Sequence, residues 1–271
     1  MKPRALILFA TGTNRDPDAA SALALAGAEP EVVHINQLRR GERHWTDYQL
    51  LLLPGGFSYA DALGAGKLLA LDLMQYFREE VSAFVASGKP VIGICNGFQA
   101  LVKAAILPGG ETTDTPQATL TFNAGGHFEC RWVSLQPASD RCIWTRNLTA
   151  QIDCPIAHGE GNFVPRDHTV LGRLQASGQI ALVYIRPDGA FAGGAYPYNP
   201  NGSALDIAGV CNPAGNVLGL MPHPEDHIFP FQNPYWTRGI TGHNGRAAGA
   251  DTAFNSGLPL FQNGVRYASE L

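Results

Sequence analysis

Two hydrophobic periods alternate along the first half of the chain. The runs "RALILFA" (4–10), "EVVHI" (31–35), "YQLLLLPGG" (48–56) and "PVIGI" (90–94) are nearly all apolar. Such runs predict strands buried on both faces, as in a parallel sheet. Helical spacing takes over between them. "DPDAASALALAG" predicts a helix with Asp16 as N-cap, Pro17 at the first helical position and Gly27 as its stop. Leu69, Leu73, Tyr76, Phe77, Val81, Phe84 and Val85 predict another, closed by Gly88. After the fourth strand, Phe98, Leu101, Val102, Ala105 and Ile106 fall on one helical face before Pro108 and Gly109. Repeated strand–helix units predict an α/β fold. Its doubly wound, mostly parallel sheet carries the site at the carboxyl ends of the strands.

From about residue 118 the pattern turns to strands. "TLTFNAGGHFECRWVSLQ" alternates over two stretches, "IALVYI" (180–185) is apolar, and "IAGVCNPAGNVLGLM" (207–221) reads as a hairpin around Asn212-Pro213-Ala214-Gly215. An additional antiparallel region is therefore expected. The last fifty residues read as loop, then a short closing helix. With no repeat and no linker, the 271 residues are expected to form one unit.

Composition narrows the classes. At 45% hydrophobic and 15% charged residues, the chain is neither disordered nor a coiled coil. A net charge of −4 gives no reason to invoke nucleic acid or an acidic membrane surface. "ALILFA" is too short for a membrane span or a signal core. Five cysteines without a C-x-x-C pair suit reduced thiols in the cytoplasm better than disulfides or zinc.

One cysteine stands apart. Cys95 lies between Gly93 and Gly97 at a strand-to-helix turn, the place where Gly-x-Ser-x-Gly hydrolases hold their nucleophile. The glycines remove side chains where strand and helix cross, and the helix start aims free N–H groups at the sulfur. Cys130, Cys142, Cys154 and Cys211 read as small core hydrophobes.

A nucleophilic thiol needs a base, normally a histidine oriented by a carboxylate. Two His-x-Glu pairs are the candidates: His158 with Glu160 in "AHGEG", and His223 with Glu225 in "MPHPED". Only the second follows an apolar strand. Pro224 biases His223 towards an extended backbone, in which residues i and i+2 share a side. A metal reading of "HPEDH" through His223, Glu225 and His227 fits poorly, because the order is not His-Glu-x-x-His and Pro224 opposes a helix. The Asn96 N–H offers one oxyanion donor, and the glycines of "LPGGFSYAD" (53–61) offer a second.

Together, "PGGFSYAD", "GICNGFQ" and "MPHPE" resemble the class I, triad-type glutamine amidotransferases. "GGFSY", "CNGFQ", "AHGEG" and "PNGS…IAGVCN…GNVLGLMPHPE" narrow the likeness to the glutaminase-subunit (PurQ-type) family of phosphoribosylformylglycinamidine synthase. The likeness runs from about residue 4 to 226 and resumes at "GLPLFQNGV".

The resemblance implies a flavodoxin-like fold and these roles. Cys95 forms a thioester with glutamine, His223 moves the protons and Glu225 orients it. The N–H groups of Gly56 and Asn96 hold the oxyanion, and Gln99 braces loops or substrate. Ammonia passes to a synthetase subunit that binds ATP and magnesium, with a small third subunit as a further partner. Apart from the resemblance, the glycine-flanked loop of His158 and Glu160 suits contact with a partner or closure of the site. The chain has no G-x-x-x-x-G-K-[ST] loop, so no cofactor is expected on it.

Arg15 stands where the family usually has cysteine, and Ala60 and Gly64 where glycine and arginine are usual. Residues 227–256 look inserted. Two rivals remain: a glutaminase serving another synthetase, and a scaffold or sensor subunit that has lost turnover.

Overall fold

The computed structural model describes residues 2–109, 116–234, 236 and 257–271. In chain order its elements are β1 (Arg4–Phe9), α1 (Asp16–Leu25), β2 (Glu29–His34), α2 (Ile35–Arg39), β3 (Leu50–Leu53), α3 (Lys67–Tyr76), α4 (Arg78–Ala86), β4 (Val91–Ile94) and α5 (Asn96–Lys103). There follow β5 (Ala118–Thr121), β6 (Glu129–Pro137), β7 (Ile152–His158), β8 (Asn162–Pro165), α6 (His168–Ala176), β9 (Ile180–Ile185), β10 (Ile207–Cys211), β11 (Val217–Leu220) and α7 (Leu258–Glu270).

A nine-stranded sheet runs β2-β1-β3-β4-β11-β10-β9-β6-β7, and β5 pairs with β8 in a separate ribbon. The segment β2 to β11 is parallel, and every pairing from β11 to β7 is antiparallel. The α/β fold with an antiparallel extension is thus as the pattern predicts. β3, β4 and β11 are buried along their whole lengths, because helices cover both faces. α7 closes the molecule. A Cβ on its Gly264 would lie 2.1 Å from the Trp144 ring, so only glycine permits that approach.

The differences from the sequence reading are local. The helix expected through residues 69–85 is two helices, α3 and α4, broken at Phe77 (φ −134°). Phe77 turns inward at the break and meets the Trp45 ring at 5.4 Å. Asp16 is not the N-cap of α1. Arg15 takes that position without a side-chain cap, and Asp16 opens the helix. α5 stops at Lys103 and Ala105 is left-handed (φ 57°), so the stripe running on to Ile106 is partly loop. The proposed insertion at 227–256 lies outside the described residues beyond its first turns, save Trp236.

Candidate active site

Three neighbouring parallel strands end at one place. Leu53 of β3 lies beside Gly93 of β4, and Ile94 of β4 beside Leu220 of β11. Running on, β3 delivers Gly55 and Gly56, β4 delivers Cys95, and β11 delivers His223. The register alone collects residues that lie far apart in sequence.

Cys95 has φ 49° and ψ −104°, a conformation that L-residues adopt only under constraint. The constraint is visible. Its N–H bonds Leu220 O at 2.8 Å, and its carbonyl accepts the Gln99 N–H at 3.0 Å to start α5. A Cβ on Gly97 would stand 2.0 Å from Leu53 O, and one on Gly93 2.8 Å from Gly97 O. Both glycines are therefore obligatory at this crossing. The side chain is 5% exposed, and its Sγ approaches Ala157 O at 3.7 Å.

His223 is 3% exposed and Glu225 fully buried, with Nδ1 and Oε1 2.7 Å apart. The route to this pair differs from the extended segment expected. Pro224–His227 forms a 3-10 turn, which curls Glu225 back under the ring. Burial opposes charge on His223, but Glu225 and then Cys95 outweigh it and raise its pKa well above the usual histidine range. Gly55 packs on the ring, since a Cβ there would lie 2.6 Å from Cε1.

The oxyanion candidates meet this pair. Among the described residues, neither the Gly56 nor the Asn96 N–H is used in a hydrogen bond within the protein. Gly56 sits at φ 129°, open only to glycine. The Asn96 side chain is tied down, accepting from Ser58 Oγ at 2.5 Å and donating to Asp61 Oδ1 at 2.9 Å and Gln99 Oε1 at 3.2 Å. Gln99 in turn donates to Glu160 O at 2.7 Å, bracing "AHGEG" against α5.

The His158–Glu160 pair does not form. Glu160 accepts from Ala65 N at 3.2 Å and lies 3.6 Å from Lys103, while His158 meets Asn123. The expectation that His158 faces a partner is corrected. It is the last residue of β7 and 3% exposed, covered by Gly161 on one side of the ring. The alternation of β7 turns it inward with Cys154 and Ile156.

Asp226 and Arg15 were not legible as site residues. Asp226 is partly buried beside Glu225; burial first and then the Glu225 charge push its pKa up to about 6, while His223 and Arg15 pull the other way. Arg15 lies 3.5 Å from Asp226 and 3.2 Å from Asp18. His223, Glu225 and Asp226 bring ligand atoms within 4.8 Å of one another. That donor set is already engaged, His223 Nδ1 by Glu225 and Asp226 by a guanidinium. His227, the third member of the metal reading, instead meets Asp153 O at 2.5 Å and the Trp132 ring at 5.1 Å.

Residues 2–268 match the family of CobB/CobQ-like glutamine amidotransferase domains. The chain is 61% identical over 241 residues to phosphoribosylformylglycinamidine synthase subunit PurQ of Treponema denticola, covering 84% of this chain and 89% of that one. It is 38% identical to the PurQ subunit of Dehalococcoides mccartyi, covering 100% and 99%. Among solved structures it is similar to a chain of the PurLQS structure from Thermotoga maritima. The TM-score is 0.72 at 32% identity, over 98% of this chain and 99% of that one.

Proposed function

This chain belongs to the CobB/CobQ-like glutamine amidotransferases, and from that premise we propose that it is the glutaminase subunit of a phosphoribosylformylglycinamidine synthase. The observation that carries the reading is the delivery of Gly56, Cys95 and His223 by three adjacent strand ends, with Glu225 bonded behind His223 at 2.7 Å.

Cys95 Sγ attacks the side-chain carbonyl of glutamine. The oxygen takes the negative charge and is held by the Gly56 and Asn96 N–H groups. His223, kept protonated by Glu225 and Cys95, gives its Nε2 proton to the departing nitrogen, so ammonia leaves and a thioester remains. The now neutral ring takes a proton from water, which attacks the thioester. Glutamate is released and the thiol restored. Glu225 orients the ring throughout and keeps its own charge.

The ammonia goes to a synthetase that binds ATP and magnesium, with a small third subunit completing the assembly. Phe57, Leu63, Phe122 and Phe128 support such a partner, since these exposed apolar side chains flank the loops that carry the site. The setting is the cytoplasm. Among the described residues no helix is long and apolar enough to cross a membrane.

The test is labelling by a glutamine-analogue diazoketone, read by peptide mass mapping in the presence of the synthetase. Modification should fall on Cys95 and be prevented by glutamine. Labelling spread over the other cysteines, or unaffected by glutamine, would refute the assignment.

A further inference from the structure

Among the buried titratable groups that the glutaminase mechanism leaves unused is His158. His158 ends β7, a strand that runs along the triad. Pro155 O accepts the His223 N–H at 2.8 Å, and Ala157 O receives Cys95 Sγ at 3.7 Å. Of the side chains that β7 turns inward, Cys154 feels the charge of Glu225 and His158 that of His223.

The hydrogen bonds around Asn123 determine the tautomer of His158. Asn123 Nδ2 donates to His127 O at 3.0 Å and to His158 O at 2.8 Å. Its Oδ1 is then the acceptor, and it takes the Gly161 N–H at 2.9 Å. The same oxygen lies 3.2 Å from His158 Nδ1, so Nδ1 carries the hydrogen. Nε2 is left with a lone pair and no hydrogen. It is buried and has no hydrogen-bond partner among the described residues. Burial first, and the charge of His223 second, lower the pKa of His158 to about 3, so the ring stays neutral. Gly161 clamps it: a Cβ there would fall 2.3 Å from Cε1.

We propose that His158 discriminates carboxamide from carboxylate, its Nε2 accepting an N–H of the glutamine side chain beside His223. This rests on the glutaminase reading and deepens it. The product presents a problem that the oxyanion hole does not solve, because glutamate has the same shape as the substrate. A carboxamide has N–H groups to give. A carboxylate has only lone pairs, and against a fixed lone pair it would bury an unpaired charge. A site that hydrogen-bonds an N–H rejects the analogue lacking it far better than a matching shape can.

The experiment uses the chain assembled with its synthetase, measuring glutamine kcat/KM and the Ki of glutamate. His158→Phe keeps a flat ring without an acceptor. It should lose about tenfold in glutamine kcat/KM, the scale of one buried hydrogen bond. His158→Gln offers either an acceptor oxygen or a donor nitrogen. It should keep the glutamine KM within a few-fold but be inhibited by glutamate about tenfold more strongly than wild type. An unchanged glutamate Ki in His158→Gln overturns the proposal, even if His158→Phe does not fold. Equal losses in both variants, together with a lowered Tm, would reduce His158 to a brace and also overturn it. Absence of glutamine hydrolysis in wild type would instead indict the glutaminase reading.

Discussion

Asp226 shows how a single residue works against the fold for the sake of the site. Its folded pKa of about 6 lies above that of a free carboxyl, so the folded protein holds the proton to higher pH than the unfolded chain. Stability from this group is therefore greatest below about pH 4 and falls as pH rises towards 6. Above that a constant penalty remains. Asp226→Asn should raise Tm at pH 8 by a few degrees, and the gain should vanish near pH 4; urea or thermal melts at both values check it. Gly55 carries the complementary lesson. Its hydrogen leaves room for the His223 ring, and a methyl would sit 2.6 Å from Cε1. Gly55→Ala should cut kcat by on the order of 10²-fold, the scale of lost general acid–base catalysis, with Tm nearly unchanged. A variant with normal kcat would mean that the ring position is not critical. Cys95, His223, Glu225 and Asn96 are legible because each sits within two residues of punctuation, a glycine or proline, that fixes local backbone. Asp226, Arg15 and Asn123 are not. Their roles come from contacts across 211 and 35 residues that no local pattern encodes.

At the scale of elements, the parallel half could be read because its strands are continuous apolar runs and its helices have one stripe. The antiparallel half was harder. The strand-rich pattern there does not predict α6, although Asp167 caps it by accepting from Val170 N at 2.8 Å, a signal present in "DHTV". The break between α3 and α4 is hidden because Phe77 itself lies on the apolar stripe, so the pattern runs unbroken through the junction. The crossing of β4 and α5 is the element-scale feature with the sharpest consequence. Gly97→Ala would drive a methyl to 2.0 Å from Leu53 O, a backbone atom that cannot swing away. We expect a loss of about 2–3 kcal/mol, the cost of overpacking a tight core, read as a lower urea midpoint at unchanged slope. An unchanged midpoint would show that the crossing has slack.

At the scale of the molecule, the topology separates two tasks. The sheet and its helices form a rigid platform, and the loops beyond the strand ends carry both chemistry and exposed apolar side chains. Ammonia made on that edge has little value without an acceptor. The central claim is therefore a division of labour: this chain releases ammonia and the partner consumes it. Cys95→Ala in the assembled complex tests it most directly, with product formation measured once with glutamine and once with ammonium as nitrogen source. Glutamine-dependent synthesis should fall to background, while ammonia-dependent synthesis stays close to wild type. Equal loss of both activities in a fully assembled complex, or retention of the glutamine-dependent one, would contradict the account.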